Sequence, residues 1–162
     1  PLDPYYLTWK AREYGFHTSM IEASMTVNDG MPEWVASRAA RILNQHQKAM
    51  NGSRVLVLGV AYKQDIDDYR ESPALRVIER VKARGANVEY YDPWVSEYTY
   101  RGGTGRSLPE LTPEVVQAAD IVLVTCAHSN IDYEMVQKNA KAILDTKNVM
   151  KNITNRENIE VL

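Results

Sequence analysis

Apolar residues follow two rhythms in this chain. Up to residue 50 they recur at roughly helical spacing: Met20, Ile21, Met25, Val27, Met31, Trp34, Val35, Ile42 and Leu43. After residue 53 they come in short runs with no polar side, most plainly RVLVL at 54–58 and IVLV at 121–124. Runs of that kind suit parallel strands covered on both faces. Between the runs, 73–84 carries Leu75, Ile78 and Val81 on one face, with Val77 beside them. The pattern predicts strands over 54–58, 88–91, 121–125 and 142–144, with a last edge strand over 159–162. Helices are predicted over 73–84, 112–119 and 130–139. Strands alternating with helices mean an α/β fold, a Rossmann-like, doubly wound parallel sheet. It is preceded by a long, kinked helical segment.

Local signals set the boundaries. Asp3-Pro4, Ser72-Pro73 and Thr112-Pro113 each read as a cap followed by a first-turn proline. Gly15 and Gly85 read as helix stops. Thr18 or Ser19 caps the second helix, which spans about 18–50, with a kink or break expected at Gly30 and Pro32. The Asn51-Gly52-Ser53 turn divides the chain into a helical segment, 1–51, and a sheet domain, 52–162. A helix this long points to a domain connection or a dimer interface. Tyr5, Tyr6, Trp9 and Tyr14 crowd the short first helix and suggest packing against a neighbour. The stretch 94–111, with Gly102, Gly103 and Gly105, shows no periodicity and is expected to be a mobile loop.

Composition narrows the function classes. The 162 residues carry a formal charge of −2, well mixed, with no basic stripe of the kind nucleic acid requires. One cysteine, Cys126, excludes a disulfide framework and a zinc cluster. No run reaches membrane-spanning length and no signal peptide is visible, so a cytoplasmic protein is expected. The chain opens Pro-Leu-Asp-Pro without methionine. That fits either methionine removal or a piece of something longer.

Candidate chemistry gathers in 54–72, RVLVLGVAYKQDIDDYRES. A buried strand leads into a loop of mixed charge and then a helix start, and ligands bind at carboxyl ends of strands in such sheets. The alternative is a solvated loop with internal ion pairs. Lys63 reads as a phosphate-binding point charge with Tyr62 beside it, or as a surface lysine. Arg70 reads as an anion clamp, or as a local partner of Asp67, Asp68 or Glu71. Asp92, ending the second strand, invites a dinucleotide reading. The first turn, Gly59-Val60-Ala61-Tyr62-Lys63, lacks the glycines that reading needs, so a structural turn is favoured. Cys126 and His128 form a Cys-x-His spacing that points to buried packing rather than a nucleophile. His17 and His46 read as surface or helix-end residues.

Four stretches, PLDPYYLTWKAREYG, NDGMPEW, LGVAYKQDIDDYRESPAL and VEYYDPWV, resemble the UDP-glucose/GDP-mannose dehydrogenase family, within it the UDP-N-acetylhexosamine 6-dehydrogenases. The resemblance covers nearly the whole chain in order. It implies a central dimerisation helix followed by a C-terminal domain that helps bind a UDP-sugar, with NAD bound mainly by an N-terminal domain outside this chain. The family's catalytic cysteine would fall two residues before Pro1, so the chain reads as a C-terminal fragment and is expected to be inert alone.

By the same resemblance the reaction is a double oxidation. A sugar C6 alcohol passes through an aldehyde and a cysteine thioester to a carboxylate, and two NAD are reduced. The resemblance gives Asp3 the place of the aspartate near the cysteine, as a general base, besides its reading as a helix cap. It makes Tyr62 and Lys63 the pair that contacts the UDP-sugar, and sets Arg70 near the cofactor. Lys147 and Asn148 fall in a substrate-binding loop where many relatives carry arginine. Lys147 keeps the charge and loses the bidentate fork. The rival reading is a stand-alone nucleotide-binding or dimerisation module without chemistry.

Overall fold

The computed structural model describes residues 2–162, Leu2 by its backbone alone. Helices α1 (Leu2–Glu13) and α2 (Ser19–Gln45) come first, followed by β1 (Arg54–Leu58), α3 (Pro73–Ala83) and β2 (Asn87–Tyr91). A hairpin, β3 (Glu97–Tyr100) and β4 (Gly103–Arg106), follows. The chain ends with α4 (Pro113–Ala118), β5 (Ile121–Val124), α5 (Tyr133–Asn139), β6 (Ile143–Asp145) and β7 (Ile159–Val161). Five strands form one sheet in the order β2-β1-β5-β6-β7, every pairing parallel. The α/β fold and parallel sheet expected from the sequence are present, with β7 on the edge.

The unbroken apolar runs are explained by the layers. Along β1, Val55 and Val57 join one core with α2 and α3. Leu56 and Leu58 join a second core with Val116 of α4 and Val136 of α5. Alternate residues thus feed opposite faces, and each face is covered by helices, so after the exposed Arg54 every position on the strand is apolar. Side-chain caps begin α3, α4 and α5: Ser72 accepts from the Ala74 N–H, Thr112 from Val115 and Asp132 from Met135. Glu160 of β7 pairs with Arg38 and Arg41 of α2, fastening the sheet edge to the long helix.

Four expectations are corrected. First, α2 is one 27-residue helix, unbroken at Gly30 and Pro32. A proline inside a helix removes one hydrogen bond and costs about 3 kcal/mol. Pro32 is buried, and Val35, Ala36, Ala39, Ile42 and Leu43 behind it are packed in the core, which holds the helix in register. Second, α2 stops at Gln45 rather than near residue 50. Gln47 takes a left-handed φ of 57° and the Lys48 N–H returns to the Leu43 carbonyl, a helix stop made without glycine.

Third, the middle of the 94–111 stretch, residues 97–106, forms the β3–β4 hairpin rather than a loop. Arg101 and Gly102 both have positive φ, 46° and 81°, as a two-residue hairpin turn requires. Tyr98 faces Gly105 across the ladder and lies where a Gly105 side chain would be. Its ring packs at a tilt against Tyr90, with centroids 5.3 Å apart. The tyrosine supplies the packing that the glycines cannot. Fourth, α1 begins at Leu2, so Asp3 lies inside the first turn rather than capping it. No helix among the described residues is long and apolar enough to cross a membrane.

Candidate functional site at the switch point of the sheet

With the hairpin set aside, the strand order of the sheet is 2-1-3-4-5. In that order the chain winds one way from β1 to β2 and the other way from β1 to β5. The crevice between the carboxyl ends of β1 and β5 is where such sheets bind ligands. The segments leaving these two strands, 59–72 and 125–132, therefore form its walls. Tyr62 and Lys63 lie in the first wall, with the Lys63 ammonium 5.7 Å from the centre of the Tyr62 ring. Tyr62 is 37% exposed and Lys63 is exposed.

Gly59 brings the walls together. Its φ is +82°, and a Cβ there would sit 2.5 Å from the Cys126 Cβ and 3.0 Å from the Cys126 backbone. Its carbonyl accepts from the Thr125 hydroxyl, and its N–H donates to Tyr91. Beyond Gly59 the loop is anchored by Asp92, which is 3% exposed. Asp92 Oδ2 accepts from the N–H groups of Val60 (2.6 Å) and Ala61 (3.0 Å). Oδ1 accepts from Trp94 (2.9 Å) and Val95 (3.0 Å). Burial works against the carboxylate's charge, but hydrogen bonds from His128, Trp94 and Val60 outweigh it, so its pKa is lowered.

Both Asp92 oxygens are thus committed to backbone, which bears out the structural turn. No carboxylate oxygen is free to hold a ribose hydroxyl, and Gly59 packs against Cys126 rather than opening a path for a pyrophosphate. The residues at β1 and β2 do not fit a dinucleotide.

His128 completes the anchor. Its ring is fully buried, with Nε2 3.1 Å from Asp92 Oδ2 and Nδ1 accepting the Asp65 N–H at 3.0 Å. Asp65 Oδ1 in turn accepts the Ser129 N–H at 2.9 Å. Burial opposes charge on the ring while Asp92 and Cys126 pull its pKa upward, but the Asp65 N–H aimed at Nδ1 leaves no place for a second proton, so the ring is neutral while the loop is seated. Gaining that charge puts a proton on Nδ1, the atom that the Asp65 N–H occupies while the loop is seated. The Cys-x-His pair is therefore structural: Cys126 is 4% exposed and both His128 nitrogens are engaged. His128 and Asp65 lie 63 positions apart, and only the strand order brings them together.

The remaining candidates are distributed more widely. Arg70 pairs with Asp68 through two bonds of 3.0 Å and with neither Asp67 nor Glu71. Its side chain is 84% exposed, so water screens the pair and another anion can replace Asp68. Lys147 and Asn148 are exposed at the end of β6, on the same edge of the sheet but across β5 from Tyr62. Asp145 shapes their turn by accepting from the Lys147 and Met150 N–H groups, each at 2.9 Å, and Asn148 has φ 52°. Asp3 is exposed on α1 and makes no hydrogen bond or ion pair with these loops. Two residues on, Tyr5 shares a cleft with Glu71, Pro73 and Arg76, so α1 faces the start of α3.

The sheet portion of the chain matches a family profile. Residues 56–152 match the UDP-binding domain of the UDP-glucose/GDP-mannose dehydrogenase family. The chain belongs to that family. It is 32% identical over 144 residues to a UDP-N-acetyl-D-glucosamine 6-dehydrogenase of Pseudomonas aeruginosa, covering 87% of this chain and 34% of that protein. It is 30% identical over 157 residues to a UDP-N-acetyl-D-mannosamine dehydrogenase of Methanocaldococcus jannaschii, covering 92% and 33%. Among solved structures, the UDP-D-ManNAc dehydrogenase of Pyrococcus horikoshii superposes with a TM-score of 0.79 at 26% identity, over 98% of this chain and 36% of that one. The chain thus spans about a third of the length of these relatives. Membership in the UDP-glucose/GDP-mannose dehydrogenase family agrees with the resemblance read from the four sequence stretches.

Proposed function

We propose that this chain is the nucleotide-gripping and subunit-joining part of an NAD-dependent UDP-N-acetylhexosamine 6-dehydrogenase. Residues 1–51 form the joining segment, 52–162 the binding domain. The observation that carries this reading is the position of Tyr62 and Lys63 at the switch point, in a family whose matching domain binds UDP. Lys63 faces the diphosphate and Tyr62 the neighbouring apolar surface. Lys147 and Asn148 approach the same ligand from the far side of β5. Arg70 exchanges Asp68 for an anionic group of the cofactor. NAD itself is held outside this sheet, since Asp92 has no oxygen to offer it. Asp3 is a general base for the thioester hydrolysis.

The whole protein converts a C6 alcohol to a carboxylate in two oxidations in the cytoplasm. Residues 1–162 alone carry no presented thiol, because the single cysteine is buried at the end of β5. They bind without turning over. The expected result is that UDP binds the chain by calorimetry and that Lys63→Ala weakens it about tenfold or more, as for one charged hydrogen bond. Equal affinity in both would remove the site. Sustained NADH formation from UDP-N-acetylglucosamine and NAD would remove the claim that this chain is inert.

The dimer reading has its own support. Met20, Val27 and Trp34 recur every seven residues on α2 and are 83%, 67% and 55% exposed. Beside them Pro4, Met20, Ile21 and Met25 line a groove of about 350 Å³. An apolar stripe of this kind is an interface when a partner covers it. Sedimentation is expected to show a dimer for the wild type and a monomer for Met20→Glu combined with Val27→Glu. A wild type that stays monomeric at high micromolar concentration would count against the interface.

A further inference from the structure

We propose that His128 is a positioning residue for the nucleotide-reading loop. It holds the Asp65 amide on Nδ1, in the neutral tautomer with the proton on Nε2, and so sets where Tyr62 and Lys63 stand. The inference rests on the reading of that loop as the UDP grip.

The tautomer is fixed by the partners. An ionised carboxylate accepts only, so Nε2 beside Asp92 Oδ2 carries the proton. A backbone N–H donates only, so Nδ1 beside the Asp65 N–H is bare. One ring therefore ties together the end of β2, the loop after β1 and the loop after β5. The contact with Asp92 is part of the buried framework. The contact with Asp65 is of another kind, because Asp65 lies in an exposed loop two residues after Lys63 and adds nothing to the sheet.

The Asp65 position also needs holding. Its φ is +59°, a left-handed conformation that side-chain-bearing residues adopt at a cost. Its outside contacts, His128 Nδ1 and the Ser129 N–H, both come from the loop after β5. Before it the loop is held at Val60 and Ala61 by Asp92, at the Ala61 carbonyl by the Ser72 hydroxyl and at Tyr62 by the Asp68 carbonyl. Lys63 stands between these two attachments. Releasing Asp65 leaves Lys63 on a chain fastened at one side.

Two amide variants separate the ring's two contacts. In His128→Gln the side-chain NH2 reaches Asp92 and no acceptor remains at the Nδ1 position. In His128→Asn the carbonyl oxygen takes the Nδ1 position and Asp92 loses its donor. The glutamine variant is expected to keep its melting temperature near wild type, expose the Asp65 amide to faster hydrogen exchange and bind UDP about tenfold more weakly. The asparagine variant is expected to melt earlier yet keep Asp65 protection and UDP affinity. In the wild type, nitrogen NMR should find the His128 proton on Nε2 alone. A glutamine variant with wild-type Asp65 protection, a proton on Nδ1, or affinity that follows melting temperature in both variants would overturn the proposal. If the wild type binds no UDP, the UDP-grip reading fails. The Asp65 exchange rates and the NMR then still decide whether His128 holds the loop.

Discussion

Asp92→Ala is expected to lose at least about 4 kcal/mol of unfolding free energy, since each buried N–H left without a partner costs about 1–3 kcal/mol. Four N–H groups depend on this carboxylate, and His128 loses its acceptor. A domain's whole stability is only about 5–15 kcal/mol, so much of the alanine variant would be unfolded at room temperature. Asp92→Asn should lie between, because its amide keeps one acceptor and turns donors toward N–H groups. Urea titration with an unchanged slope is the measurement, and a loss under about 1 kcal/mol in the alanine variant would contradict the framework role.

The same carboxylate gives a pH signature. Its pKa is lowered in the folded state. Its stabilisation is therefore fully present above the ordinary aspartate value of about 4 and is lost as pH falls through the lowered folded value. The asparagine variant should lack that portion of the acid limb.

Gly59→Ala is the second large effect, about 2–5 kcal/mol. About 1–2 kcal/mol comes from forcing an L side chain to positive φ and about 1–3 kcal/mol from overpacking. The new methyl would meet the Cys126 Cβ at 2.5 Å and its backbone at 3.0 Å. Cys126→Ala should not rescue it, because the clashing atoms remain. Full rescue by Cys126→Ala would mean that the sulfur, not the backbone approach, sets the constraint. UDP affinity in the surviving folded fraction should fall as well, because the two walls of the crevice are spaced by this contact.

The parallel sheet was legible because its central strands are buried on both faces, leaving apolar runs such as 121–124 that no exposed segment would carry. Ser72-Pro73 and Thr112-Pro113 were legible because their caps are local chemistry. What escaped notice depends on contacts distant in sequence. The hairpin was hidden because its turn and β4 carry the glycines, and the packing that supports them comes from Tyr98 lying across Gly105 and against Tyr90. The stop at Gln47 was hidden because the left-handed position is not a glycine. Tyr62 and Lys63 were singled out as candidates by the strand-loop-helix pattern and the family resemblance, and the structure puts them in the loop that leaves β1. His128 was seen only as a neighbour of Cys126, since its partners lie 36 and 63 positions away.

The uninterrupted α2 has a mechanical consequence. No residue of the helix before Pro32 is buried, whereas five after it are in the core. The helix is a lever about 40 Å long at 1.5 Å per residue, with one end clamped in the sheet domain. Its fulcrum falls at Pro32, where one backbone hydrogen bond is missing and bending is easiest. A tilt of about 5° at that point moves the outer tip by roughly 2 Å, given about 20 Å of free arm. Tyr5 of α1 shares a cleft with Glu71 and Pro73, where the first wall of the crevice runs into α3, so a bend at residues 28–32 slides α1 along that wall.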